Sequence, residues 1–261
     1  MEVQVRIATF NLENLGGRRA QKLPLDERIA ALRPRLEALH ADLLCLQEID
    51  SEQGRRLDAL DELLAGTEYS GFERVCTVGA HGRPRDVHNL MILSRHPIRS
   101  HRQVYHDHVP PLAYRWACAD PPADEPVMVR WDRPLLHATI DVAGALVEVV
   151  NLHLRSPLPA AVPGQKRDAF TWKSSSAWSE GIFLAAMKRD GQALEARIVV
   201  DELLDSNMDA RIAVCGDFNA MSFAEPLAII CAPVRETDDA RLGRRALIPV
   251  ETAVPKDRRF S

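Results

Sequence analysis

Four apolar runs in this 261-residue chain stop on a polar side chain, and that recurrence limits the folds open to it more than any other feature. IATFNLEN reaches Asn11, LLCLQEID reaches Glu48, VVNLHLRS reaches His153, and IAVCGDFNA reaches Asp217 and Asn219. A carboxylate or amide at the end of such a run is costly to bury unless it is hydrogen-bonded, paired or bound to a metal. One ending of this kind is explained by a turn residue satisfied by nearby backbone. Four with complementary chemistry point to a shared site outside strand ends, where α/β sheets hold their ligands.

The segments between these endings set the class. VQVRIATFN alternates from Val3 to Phe10 and predicts a strand ending at Asn11. ADLLCLQEID is continuously apolar, as a strand covered on both faces is. In LDERIAALRPRLEALH, Ile29, Leu32, Leu36 and Leu39 recur at helical spacing, with Asp26 as a cap and Pro34 as a kink. SEQGRRLDALDELLAG predicts a second helix closed by Gly66. FERVCTVG and NLMILSRHPI read as strands, and RPLLHATIDV and LVEVVNLHL as a hairpin turning at Ala143 and Gly144. The proline-rich residues 102–126 read as a loop with at most one short strand. His106 and His108 there are expected in solvent, since no third ligand has matching spacing to make them a metal pair. Residues 155–181 read as a second long loop before a helix from about Ile182 to Leu204, with Leu194, Ile198 and Leu203 as its core face. No period is legible from Pro226 onward. Strands alternating with helices argue for an α/β class in one domain spanning 1–261.

Composition narrows the function. With 46% hydrophobic and 27% charged residues the chain is neither disordered nor fibrous. A net charge of -4 argues against a broad electrostatic grip on nucleic acid, though not against a local basic groove. No window approaches the roughly 18–20 apolar residues of a membrane span. The start, MEVQVRIATF, lacks the basic and apolar regions of a secretory signal, so the expected location is cytoplasmic. Five cysteines is an odd number, and Cys45 and Cys215 stand in apolar runs, which suits free thiols in a reducing compartment.

The quoted endings also carry a resemblance. TFNLEN with Asn11, LQEI with Glu48, NLMILSRHPI with Asn89, Arg133 ahead of LLHATI, NLHL with His153, and GDFNA with Asp217 and Asn219 occur in this order over about residues 3–222. The set resembles the endonuclease/exonuclease/phosphatase superfamily of DNase I-like metal-dependent phosphodiesterases. The resemblance implies a four-layer sandwich, two packed mixed β-sheets flanked by helices, whose strand ends converge on one cleft. It implies in-line attack by water on a phosphodiester or phosphomonoester, with Mg2+ as the cation and Mn2+ as a substitute. Glu48 resembles the principal metal ligand and Asn11 its partner. Asp217 resembles the residue that orients or deprotonates the water, and Asn219 one that contacts phosphate oxygens. His153 and Arg133 would place donors where charge develops.

The substrate, nucleic acid or a small phosphorylated molecule, is left open, as is the oligomeric state. In 155–181, Arg155, Lys166, Arg167 and Lys173 alternate with Phe170, Trp172 and Trp178, a mix that either holds a nucleic-acid strand or anchors the loop to the core. The superfamily pattern ends with an Asp-His pair and a Ser-Asp-His, whereas this sequence has no histidine after His153. The expectation is therefore a C-terminally incomplete domain lacking its last strands, with weak turnover or none. The alternative is a truncated or degenerate module that binds a phosphate ligand without cleaving it.

Overall fold

The structure, a computed structural model, describes residues 4–16, 23–52 and 55–255. In chain order its elements are β1 (Ile7–Leu15), α1 (Leu25–Glu37), β2 (Leu43–Ile49), α2 (Asp58–Leu64), β3 (Glu73–Cys76), β4 (Asn89–Ser94), β5 (Ile98–Val104), β6 (Leu112–Tyr114) and β7 (Val127–Val129). They continue with β8 (Leu135–Val142), β9 (Ala145–His153), α3 (Ser175–Ser206), β10 (Arg211–Asp217), α4 (Glu225–Cys231) and α5 (Val234–Thr237). Two compact units result. The first comprises residues 1–105, 133–153 and 209–217, the second 106–132, 154–208 and 218–261.

The first unit is a pair of mixed sheets, ordered β1-β2-β4-β3 and β10-β9-β8-β5. β1 runs parallel to β2 and β10 parallel to β9, while β2–β4, β3–β4, β8–β9 and β5–β8 are antiparallel. Leu43, Cys45, Leu90 and Ile92 of one sheet pack against Leu136, Ala138, Ile140, Val147 and Val149 of the other. The opposite face of the first sheet, through Leu44, Leu46, Met91 and Leu93, buries Ile29 and Leu36 of α1 and Leu60, Leu63 and Leu64 of α2. β2 is thus covered on both sides, which is why its sequence is apolar without alternation. The β8–β9 hairpin turns at Ala143 and Gly144 with φ of 52° and 87°, the paired positive values of a type I′ turn. Cys45 and Cys215 are free thiols whose Sγ atoms lie 3.2 Å apart, and that contact together with burial pushes the Cys45 thiol well above its ordinary value.

Several boundaries differ from the sequence reading. β1 does not stop at Asn11 but continues to Leu15, bending through Glu13 and Asn14 at positive φ. The predicted onset at Val3 lies outside the described residues. Pro24, not Asp26, occupies the N-cap of α1, and Asp26 lies in the first turn, where it complements the helix dipole. Pro34 is accommodated inside α1. α2 is shorter than the segment that predicts it, part of which, residues 53–54, is outside the described residues.

In the second unit α3 begins seven residues before the predicted start, because Ser174 caps it by accepting the Ala177 N–H. Its buried face runs through Gln192, Ala193, Glu195, Ala196, Val199 and Val200, and Leu194 is exposed. Polar residues on that face are there to hold chain. Glu195 accepts the N–H groups of His106 and His108, and His106 stacks on Trp131 with centroids 3.6 Å apart. Neither histidine is exposed to solvent as expected. Glu180 accepts the Tyr114 hydroxyl and the Ala117 and Cys118 N–H groups. β6 and β7 pair into a two-stranded ribbon, so 102–126 contains β6 and the end of β5. Trp172 packs beneath the Lys166 ammonium, whereas Phe170 is 92% exposed and Trp178 sits half-exposed on α3. Among the described residues after Asp217 there are helical segments and no strand. The closing residues 256–261 lie outside the description.

Candidate active site

The first unit brings four of the predicted residues together. Asn11 stands opposite Gln47 in the β1–β2 ladder, one residue before Glu48. His153 and Asp217 stand directly opposite each other in the parallel β9–β10 ladder. Asn11 Nδ2 donates to Glu48 Oε1 at 3.1 Å and to Asp217 Oδ2 at 2.8 Å, linking carboxylates that come from different sheets. His153 Nε2 lies 3.5 Å from Glu48 Oε1 and 3.7 Å from Asp217 Oδ2. Asn11 turns its oxygen to the backbone, where Oδ1 accepts the Glu13 N–H at 2.9 Å. In this arrangement its Nδ2 faces both carboxylates.

Local backbone explains how β-strands present these groups. Between Leu46 and Ile49 the β2–β4 register shifts, and Glu48 adopts φ 59°. The bulge re-aims Glu48 away from the alternation that buries Gln47, a use of bulges common beside active sites. Gly216 answers for Asp217. Its φ of 138° favours glycine, and a Cβ there would stand 1.9 Å from the Leu152 carbonyl oxygen. Only glycine allows β10 to approach β9 so closely one residue before the acid.

One residue at the site, His88, was not singled out by sequence. His88, just ahead of β4, has φ 56° and donates its N–H to buried Asp50 Oδ1 at 2.8 Å. Its ring lies 6.3 Å from that of His153, edge to face. Arg133 stands beside His88, with Nη2 3.5 Å from His88 Nδ1. A histidine in a turn carries no period that would mark it, and the only available signal was its place next to Asn89. Asn89 itself is fully buried and structural. Its amide donates to the Ile49 and Arg85 carbonyls, and its oxygen accepts the Arg85 N–H. Asn219 belongs to the second unit, where its amide donates to the Leu154 carbonyl at 3.1 Å.

Charge state follows from burial. His153 is 2% exposed, and desolvation, with the Arg133 and His88 charges, pushes its pKa down to about 2. The ring is neutral at any physiological pH, despite the nearby carboxylates. Among the described residues, one carboxylate and two imidazoles form a group able to hold a cation: Glu48, His88 and His153 offer ligand atoms that all lie within 4.8 Å of one another. Two ligands about 2.1 Å from an ion at a tetrahedral angle stand about 3.4 Å apart. The Glu48–His153 separation of 3.5 Å is near that edge and the remaining ligand atoms lie within 4.8 Å, so one carboxylate and two imidazoles stand close enough to converge on a divalent ion.

A family model for the endonuclease/exonuclease/phosphatase family matches residues 8–237. The chain belongs to this family. Among solved structures, a mannosyl-6-phosphatase of Bacteroides thetaiotaomicron is similar at 14% identity and TM-score 0.52, covering 88% of this chain and 70% of that one. A hairpin-deletion mutant of beta toxin from Staphylococcus aureus is similar at 14% identity and TM-score 0.51, covering 88% and 72%. Truncated TDP2 of Caenorhabditis elegans is similar at 17% identity and TM-score 0.50, and the chain spans 84% of itself but 63% of that protein. No curated protein sequence matches. These likenesses establish the fold class read from the sequence, mixed α/β with two packed mixed sheets flanked by helices. Members of the endonuclease/exonuclease/phosphatase superfamily are hydrolytic phosphoesterases and nucleases, and no helix among the described residues is long and apolar enough to cross a membrane.

Proposed function

We propose that this chain hydrolyses phosphodiester or phosphomonoester bonds by in-line attack of water assisted by a divalent cation. The observation that carries the reading is the meeting of Glu48, His153 and Asp217 at the ends of three strands, with Asn11 bridging the two carboxylates. Glu48, with His88 and His153, would hold the cation. Bound there, the cation supplies charge neutralisation and a template for the phosphoryl group. Mg2+ asks little more of a protein than one or two carboxylates, and imidazole nitrogens favour transition ions, so Mn2+ is expected to bind more tightly than Mg2+.

The remaining steps fall to side chains. Asp217, partly exposed and fixed by Asn11, accepts a hydrogen bond from the attacking water and orients it. Arg133 supplies a permanent positive charge near the oxygens on which negative charge grows.

The test is p-nitrophenol release from bis(p-nitrophenyl) phosphate and p-nitrophenyl phosphate with Mg2+ or Mn2+. Weak cation-dependent release that Glu48→Gln lowers further is expected. Release that needs no cation, or that survives Glu48→Gln, would overturn the reading. A second reading is a module that holds a phosphate ligand at the same cluster without cleaving it. Binding of inorganic phosphate with Mn2+, without turnover of either ester, would favour a phosphate-binding module.

A further inference from the structure

Two amide side chains are sealed between the sheets without belonging to the site, and both end beside it. Gln47 and Asn151 are 1% and 0% exposed in an interface otherwise made of residues such as Leu43, Cys45, Ile92 and Val149. Gln47 precedes Glu48 by one residue, and Asn151 precedes His153 by two. Gln47 Nε2 donates to Asn151 Oδ1 at 2.8 Å, joining β2 to β9 across the sheet pair, and also meets Thr9 Oγ1 of β1 at 3.0 Å. Asn151 Nδ2 donates in turn to two main-chain carbonyls, Leu46 at 3.1 Å and Met91 at 2.9 Å.

Those two carbonyls mark a particular place. Leu46 and Met91 are paired across β2–β4, and theirs is the last pair before the register breaks; the next is Ile49 with Asn89. The donors of Asn151 therefore sit on the shoulder of the bulge in which Glu48 takes its positive φ. Left-handed backbone at a non-glycine residue persists only where the surroundings over-determine it. A buried amide costs free energy unless bonded, so a pair of amides between two sheets, satisfied only in one alignment, fixes that alignment. Leucines would fill the same volume and leave it free to slip.

We infer that Asn151 and Gln47 are the positioning residues of the site: from the opposite sheet, Asn151 clamps the β2 bulge that aims Glu48, and Gln47 locks the bulge to the strand that carries His153. The inference rests on the proposed function for what the site binds, but its geometric content stands apart from it.

The experiment compares the wild-type protein with Asn151→Leu and with Gln47→Leu/Asn151→Leu, by crystal structure and by Mn2+ affinity from electron paramagnetic resonance. Thermal unfolding confirms that each variant is folded. In the folded double variant Glu48 is expected to leave its left-handed conformation, its carboxylate to part from His153, and Mn2+ affinity to fall about 10- to 100-fold, as loss of outer-shell partners does. A folded double variant with Glu48 unmoved and affinity within twofold of wild type would overturn the inference. Should the leucine variants not fold, Asn151→Ser keeps one donor and admits a water; about a tenfold loss is expected, and unchanged affinity overturns the inference equally. Absence of Mn2+ binding by the wild type would refute the proposed function instead, and the position of Glu48 in the variant crystals would still decide the positioning claim.

Discussion

His153 is an imidazole that the fold keeps uncharged. Its pKa falls from the usual value near 6.5 to about 2 in the folded chain, chiefly through burial. The unfolded chain therefore takes up a proton near pH 6.5 that the folded chain refuses. Stability owed to this residue is whole above that pH and lost progressively as pH falls toward 2. In cation-free protein, urea unfolding is expected to show a free energy that declines below about pH 6.5, by up to about 1.4 kcal/mol per pH unit from this group. His153→Gln should flatten that decline, and an unchanged slope would contradict the assignment. Gly216 is the other residue whose role is confined to a few atoms. Gly216→Ala puts a methyl group on the Leu152 carbonyl, and a loss of about 2 kcal/mol or more is expected in thermal unfolding. A variant as stable as wild type would show that β10 can move away freely.

Among the elements, β2 was the most legible and held the largest surprise. Its continuous apolar run announced burial on both faces, yet nothing in LLCLQEI announces a bulge, because register is decided by β4 and by Asn151 in the other sheet. Asn11, Glu48, His153 and Asp217 were readable because each interrupts an apolar strand. His88 was not, because turns have no period and its role depends on a contact with Asp50 that sequence spacing does not encode. The start of α3 was lost for a related reason. SSSAWSEG resembles a loop in composition, but its first serine is a cap and the rest is helix. The same helix carries Glu180, where burial would raise the carboxyl pKa but hydrogen bonds from Ala117, Tyr114 and Cys118 outweigh it and hold it low. Glu180→Ala removes all three. Faster limited proteolysis within residues 112–120 is expected, with unfolding of the rest of the chain little changed; a cleavage rate equal to wild type would contradict the role.

At the scale of the molecule, the two-sheet unit supplies what separate motifs cannot: strands from different sheets that finish at one place. Glu48 and Asn11 arrive from one sheet, His153 and Asp217 from the other, and the apolar interface between them sets the spacing. Membership in the endonuclease/exonuclease/phosphatase family was legible as a resemblance carried by the ordered endings together with Asn89 and Arg133, and the resemblance implied the two-sheet fold class. The substrate was not, because the motifs are common to the whole family and the aromatic and basic residues of 155–173 divide between packing and exposure. The claim on which the rest depends is that these strand ends hold a divalent cation through Glu48. Isothermal titration of the wild-type protein with Mn2+ is expected to give one site per chain, weakened at least about tenfold by Glu48→Gln and by His88→Ala. Equal affinity in wild type and Glu48→Gln would contradict it.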